Sequence, residues 1–331
     1  MLVRVSQVGL DGTDAEIIAG QYGEPPPGEN RLILGHESLG RVEEVAGGGG
    51  KDLSPGDWVV ATVRRPDPVP CPNCAAGEWD MCLNGRYTER GIKGRHGFRA
   101  EYYAEYPEFL VKVPSELMAV AVLLEPLSIV EKAMRQMEHI QRRMVWQPEK
   151  ALVLGAGSIG LLCTFLLRLQ GMEVYLYDLV EKGIKREIGE ALGARYIWAK
   201  EQSLGRDLAA KIGPLDIVVE ATGHSPLAFD AMDMAGPNGI VCLTGVSSGS
   251  RRLQVAVDHL NLEMVLLNKT VFGTVSANRG HFLTGLDHLR AIEDRWPGLL
   301  SKMITRRMSL EALAGGWQRS AEELKTVVEI A

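Results

Sequence analysis

Ala151-Leu152-Val153-Leu154-Gly155-Ala156-Gly157-Ser158-Ile159-Gly160 is the stretch whose reading decides the fold. Four apolar residues form a strand that must be buried, and a helical pattern runs from the glycines through Leu169. A bare Gly-x-Gly-x-x-Gly would say little in a chain with 37 glycines. Set between a strand and a helix, it is the phosphate-cradling turn of a dinucleotide site. Gly155 permits the tight turn, and Gly157 lets the backbone approach a pyrophosphate. Gly160 lets the helix pack closely on the strand, and the amides of Ser158 and Ile159 face the anion.

Working outward, Glu173-Val174-Tyr175-Leu176-Tyr177-Asp178 is a second strand that ends on an acid. An aspartate there accepts hydrogen bonds from ribose hydroxyls and repels a 2′-phosphate. No arginine follows at Leu179 or Val180, so NAD is favoured over NADP. A helix over about 181–192 and strands at Asp216–Glu220 and Ile240–Leu243 continue the alternation, which predicts a doubly wound parallel sheet. Residues 1 to about 115 read differently, with short alternating runs at Arg41–Val45, Asp57–Ala61 and Leu110–Val113 separated by turn signals such as Ser54-Pro55-Gly56-Asp57. That pattern predicts an antiparallel, barrel-like domain. A helix over Ala119–Gln141 links the two parts. The end returns to helix at His281–Trp296 and to strand at Leu324–Glu329, and Gly47–Gly50 reads as a turn. Because Met1 leads straight into an alternating strand, the first strands of this domain are expected to be missing or trimmed.

The first domain also carries chemistry. Asp11, in Gly9-Leu10-Asp11-Gly12-Thr13-Asp14, offers an oxygen ligand, and His36, in Gly35-His36-Glu37, offers a nitrogen. Glu37 or Glu125 completes a shell that keeps one position open, the pattern of a catalytic zinc. A metal site and a dinucleotide site in one chain read together as metal-assisted hydride transfer.

These segments, with Leu34–Gly40, Leu124-Glu125-Pro126-Leu127-Ser128, Tyr87–Ile92, Gly97–Tyr102 and Glu131-Lys132-Ala133, resemble the zinc-dependent medium-chain dehydrogenase/reductase family and its glucose dehydrogenase subgroup. The resemblance covers nearly the whole chain. It implies a Rossmann domain at 126–276 and a GroES-like β-barrel catalytic domain at 1–125 and 277–331. It implies that Asp11, standing where the family usually has cysteine, binds zinc with His36 and either Glu37 or Glu125, and that the two glutamates alternate. Thr13 then relays the substrate proton, and Glu89 grips sugar hydroxyls. Cys71, Cys74 and Cys82 match the last three ligands of the family's structural zinc lobe, whose first cysteine is replaced by Pro68; Asp67 is the nearest substitute. The subgroup commonly has asparagine where Ser276 stands, near nicotinamide and sugar. Asn278 replaces that amide only if the loop is rearranged.

The implied reaction moves hydride from C1 of an aldose such as glucose to NAD(P), giving a lactone. The rivals are a polyol, cyclitol or amino-sugar dehydrogenase with the same zinc chemistry, a zinc-free reductase of the same superfamily, and a non-catalytic NAD-binding regulator. Composition narrows the partners. The net charge of −6 excludes a broad basic face for nucleic acid or anionic membrane. No apolar run is long enough for a membrane span, and no secretory signal is visible. Five cysteines, three of them clustered, read as metal ligands in a reducing cytoplasm rather than as disulfides. A homodimer or homotetramer is expected, paired through the Gly239–Gly245 segment.

Overall fold

The computed structural model describes residues 1–46, 52–247 and 249–330; the turn expected at Gly47–Gly50 lies outside them. The chain divides into two compact units, Met1–Glu131 with Ser276–Ala331, and Lys132–Val275. The first crossing falls six residues later than the expected boundary at 125, and the second falls one residue earlier than 276. The reason lies in the linking helix Leu124–Gln141. Its first two turns belong to the first unit, where Leu124 and Leu127 pack on Gly285 and Glu131 bonds His288 at 2.7 Å.

The first unit is built on a seven-stranded sheet. Its path runs Ile304–Ser309, Lys325–Glu329, Leu2–Leu10, Glu37–Glu44, Trp58–Ala61, Leu110–Lys112, with Tyr102–Ala104 added to Leu2–Leu10. All pairs are antiparallel except the first. The strand Leu2–Leu10 is central. One of its edges carries Glu37–Glu44, and the other is shared between Tyr102–Ala104 and Lys325–Glu329. Its alternation changes phase midway: Val3 and Val5 are buried, then Val8 and Leu10. A register shift between Val5 and Gln7 makes this possible, since a bulge inserts one residue and turns the following side chains over. These four residues pack with Val42, Val59, Phe98, Leu110 and Val328 in one core. A small second sheet, Arg64–Arg65, Thr88–Arg90 and Gly94–Arg95, lies in the same unit.

The second unit holds six strands in the order Arg195–Trp198, Glu173–Asp178, Lys150–Leu154, Leu215–Glu220, Ala235–Leu243, Thr270–Gly273. Every pairing is parallel. Numbered within the unit the order is 3-2-1-4-5-6, the doubly wound sheet whose first strand feeds the nucleotide turn. Ala151 to Leu154 are fully buried, as a strand covered on both faces must be. The structure corrects one expectation. Ala235–Leu243, which contains most of Gly239–Gly245, has a strand on each side, so the edge strands of this sheet are Arg195–Trp198 and Thr270–Gly273. The earlier segment reads as an edge because glycines flank it, yet its Ile240-Val241-Cys242 core is wholly buried.

At the nucleotide turn Gly155 sits at φ +98°, in the region that favours glycine. A Cβ on Gly160 would stand 1.8 Å from the Gly155 carbonyl oxygen. Gly160→Ala is therefore expected to push the helix Ser158–Leu169 off the strand, at a cost of about 1–3 kcal/mol. Dinucleotide affinity should fall more steeply than the melting temperature; a normal dissociation constant by calorimetry would contradict this account of the turn.

Candidate metal and dinucleotide sites

The short helix Gly12–Ile18 begins where the first strand ends, and Asp11 is its N-cap. Asp11 and Asp14 form a reciprocal capping box. Thr13 donates its hydroxyl to Asp11 Oδ2 at 3.3 Å. His36 comes just before the neighbouring strand Glu37–Glu44, with Nε2 3.6 Å from Asp11 Oδ2 and Nδ1 4.0 Å from Asp14 Oδ2. Ligand atoms of Asp11, Asp14 and His36 lie within 4.8 Å of one another, and so do those of His36, Glu37 and Glu125. His36 is shared by the two groups, so all four residues expected to form the zinc site come together.

Glu37 reaches this cluster across a gap in the first strand. Gly9 lies opposite Glu37 on one side and Val327 on the other. A Cβ on Gly9 would stand 1.9 Å from Glu37 Oε2. Through that opening Lys325 Nζ bonds both Glu37 oxygens, at 2.6 and 2.7 Å, with both side chains 1% exposed. Glu37, expected as a ligand, is thus fully engaged by an ammonium group in this structure. Arg99 balances Asp14 at 2.7 Å.

Burial raises the Glu125 carboxyl to about 8, with nearby Glu37 and Asp11 adding to the shift against the pull of His36. Burial alone would also raise Asp11, but His36, with help from Lys325, holds it below the usual carboxylate range. His36 is itself raised, because Asp11, Asp14 and Glu125 outweigh its own burial. Four carboxyls, Asp11, Asp14, Glu37 and Glu125, face two permanent cations, Lys325 and Arg99. Two negative charges remain when all four are ionised and His36 is neutral, the states in which such groups bind a metal. Oxygen and imidazole donors with that residual charge fit a divalent cation such as zinc. Asp14, Arg99 and Lys325 are absent from the residues expected of this site. Asp14 carries a signal, its place three residues after Asp11 in a capping box; the two cations carry none.

Glu89 lies on the strand Thr88–Arg90 directly opposite Arg64. Arg64 donates Nε to Glu89 Oε1 at 3.0 Å and brings Nη2 within 2.9 Å of it. Ser276 is buried at φ +62°, and its hydroxyl has no hydrogen-bond partner among the described residues. Asparagine tolerates that left-handed backbone better than serine does, so the subgroup's asparagine has a backbone reason as well as a chemical one. Asn278 is no substitute for it. Its Oδ1 caps the helix Arg279–Arg295 through Gly280 N, and its Nδ2 is given to Glu78 and Asp80 at 2.6 and 2.9 Å.

The thiols of Cys71, Cys74 and Cys82 also lie within 4.8 Å of one another. The amides of Cys74 and Leu83 point at Cys71 Sγ and hold that thiol down to about 7. Asp67, the nearest replacement for the cysteine missing at Pro68, is already committed. Its oxygens accept from Val69 N at 2.8 Å, Asn84 Nδ2 at 2.9 Å and Arg86 Nε at 3.2 Å. Among the described residues, the lobe thus brings together three thiols and no fourth metal-ligating side chain.

In the second unit Asp178 accepts from Ala156 N at 2.7 Å and Val180 N at 2.8 Å, so its carboxylate braces the glycine turn. Of the basic residues that follow it, Lys182 is exposed, and Arg186 pairs with Glu190 at 2.8 Å and lies over the Tyr196 ring.

The sequence matches the family described as glucose dehydrogenase C-terminus over residues 118–330 and the alcohol dehydrogenase GroES-like domain over residues 1–115. The chain belongs to the zinc-dependent medium-chain dehydrogenase/reductase family, in its glucose dehydrogenase subgroup. It is 50% identical to glucose 1-dehydrogenase of Methanocella arvoryzae, over 100% of this chain and 92% of that relative. It is 40% identical to glucose 1-dehydrogenase 2 of Vulcanisaeta moutnovskia, over 100% and 91%. Among solved structures, Haloferax mediterranei glucose dehydrogenase in complex with NADP, Zn and gluconolactone superposes with a TM-score of 0.91 at 32% identity, covering 100% of this chain and 92% of that one. No helix among the described residues is long and apolar enough to cross a membrane.

Lys325→Met is a direct test of the charge balance in this family member's metal centre. Removing one partner of a buried ion pair strands the other charge, at a cost of about 3–5 kcal/mol. The melting temperature without metal should fall sharply and recover in part on adding zinc, which replaces the lost cation. A variant that melts like the wild type would show that Lys325 does not carry this role.

Proposed function

We propose that this protein oxidises an aldose such as glucose at C1 to the lactone, using zinc held by Asp11, His36 and Glu125 or Glu37, and a nicotinamide dinucleotide held by Gly155–Gly160. The observation that carries the reading is the buried cluster around His36, whose uncompensated carboxylates suit a divalent cation. Subgroup membership and the lactone complex of the Haloferax relative support the substrate class. When bound, zinc supplies Lewis acidity toward the carbinol oxygen, and the nicotinamide ring supplies the hydride acceptor. Asp11 and His36 hold the reacting end of the site. Thr13 Oγ1, beside Asp11, accepts the proton leaving the substrate hydroxyl and passes it on toward solvent. Glu89 holds sugar hydroxyls, and Ser276 makes a further contact to substrate and nicotinamide. Cys71, Cys74 and Cys82 form a second zinc site with three protein ligands, which implies weaker retention of that ion than a closed four-cysteine lobe gives.

NAD over NADP is the narrower part of the proposal. It rests on the Asp178 carboxylate and on the engagement of Arg186 by Glu190. The Haloferax relative binds NADP, so kinship lends this preference no support. Absorbance at 340 nm across aldoses and polyols, with zinc measured on the same sample, tests the whole reading. Aldose turnover should vanish on chelation and return with zinc, and NAD should exceed NADP in kcat/KM by about tenfold. Asp178→Asn should narrow that ratio. Wild-type preference for NADP would defeat the cofactor assignment alone. Polyol turnover without aldose turnover would defeat the substrate assignment.

We infer a homodimer or homotetramer assembled through the dinucleotide unit. The helix Val257–Leu266 buries none of its residues, and Val257, Leu262, Val265 and Leu266 are each more than half exposed. So many exposed apolar side chains on one helix mark an interface, and the edge strand Thr270–Gly273 belongs to the same unit. Light scattering on the eluting peak should give a multiple of 36.2 kDa, and L262K/V265K should lower it. A wild-type monomer would end this proposal.

A further inference from the structure

The small sheet of the first unit presents two chemically different faces. Along the strand Arg64–Arg65 the side chains alternate, as they do along Thr88–Arg90. Arg65 and Arg90 turn inward onto Glu105, which both guanidinium groups bond. Arg65 also donates to the Thr62 carbonyl, and Arg90 to the Ala104 carbonyl. That face is a closed structural network.

Arg64 and Glu89 stand on the other face. They are direct cross-strand partners, the closest relation two residues on paired strands can have. Nε and Nη2 of Arg64 converge on a single oxygen, Glu89 Oε1, while Nη1 donates to the Asp80 carbonyl at 2.9 Å. The Tyr87 ring covers the guanidinium, whose carbon lies 3.7 Å from the ring centroid. Arg64 is 4% exposed, so its geometry is fixed from three directions. An arginine that bonds a carboxylate only to neutralise it commonly takes both oxygens as a fork. This one takes Oε1, and no hydrogen bond among the described residues reaches Oε2.

We propose that Arg64 is a positioning residue for substrate recognition. It pins Glu89 by Oε1 and reserves Oε2 as the acceptor for sugar hydroxyl donors. The proposal deepens the aldose reading and rests on Glu89 being the sugar clamp. It adds a determinant outside the reacting centre: Asp80, through its carbonyl, and Tyr87, through its ring, fix Arg64, which fixes Glu89. A substrate is then selected by a hydroxyl donor at the position Glu89 faces. A deoxy sugar lacking that hydroxyl gains nothing from the arrangement.

The test compares wild type, Arg64→Lys, Arg64→Met, Glu89→Gln and the Arg64→Met/Glu89→Gln double variant on the zinc-loaded enzyme. Steady-state kinetics use glucose and its singly deoxygenated analogues. Arg64→Met should raise KM for glucose about tenfold, the loss of one well-aimed hydrogen bond to a charged group. It should leave kcat within about twofold. Arg64→Lys should recover part of the loss. In the double variant KM should match Glu89→Gln alone, because two residues acting through one contact are not additive. One deoxy sugar should show the same KM with wild type and Arg64→Met. Additive effects, equal losses in kcat and kcat/KM, or an unchanged KM in Arg64→Met would each overturn the proposal. Absence of aldose turnover by the wild type would instead refute the parent reading, and the role of Arg64 with it. Soluble Arg64→Lys and Glu89→Gln keep the comparison decisive if Arg64→Met does not fold.

Discussion

The ion pair between Lys325 and Glu37 spans 288 residues of sequence and less than 3 Å of space. The rest of the first unit is arranged so that it can exist. Glu37 and Lys325 come from strands on opposite edges of Leu2–Leu10, so their side chains must reach across that strand. Any side chain at position 9 would stand in the way, and glycine clears the path. A buried carboxylate without a partner is too costly to keep ionised. Lys325 therefore opposes the protonation that burial favours at Glu37 beside three other carboxyls, and the cluster as a whole keeps an excess of acids that suits a divalent cation. The N-terminal and C-terminal parts of the unit are joined by electrostatics as well as by the strand ladder.

Much of this was legible in the sequence, and the reason is locality. The strand, glycine turn and helix of the dinucleotide unit are consecutive, and the six-stranded order follows from alternating elements and right-handed crossovers. Asp11 and His36 are visible because each sits in a short motif with recognisable chemistry. Lys325 carries no such mark: it opens the strand Lys325–Glu329, and only the pairing of that strand with Leu2–Leu10 brings it to its partner. Arg64 and Arg65 are indistinguishable as adjacent letters, yet the pleat sends one to Glu89 and the other to Glu105. Asp67 and Asn278 illustrate the opposite error. Both have suitable chemistry in the right neighbourhood, and both have spent it on holding loops and helix ends. The misplaced sheet edge has the same origin, since pairing on the far side of Ala235–Leu243 depends on a strand that follows 27 residues after it ends.

The two sites differ in what holds them. The dinucleotide turn is a matter of backbone, in which glycine dihedrals, exposed amides and one braced carboxylate leave little for other side chains to do. The metal centre is a matter of charge, in which buried acids are tolerated because cations from distant strands and a bound ion can offset them. Substitutions should accordingly read out differently, as steric failures in the first and as losses of metal and stability in the second.

The register shift in the first strand acts as a phase changer. Before it, odd-numbered residues face the core; after it, even-numbered ones do. That single extra residue is what brings Gly9 opposite Glu37 while Val8 and Leu10 stay in the core. Paired without the bulge, the same letters would run one step out of register, setting Val8 opposite Glu37 and turning Leu10 out of the apolar interior. In this strand pairing register carries as much information as identity.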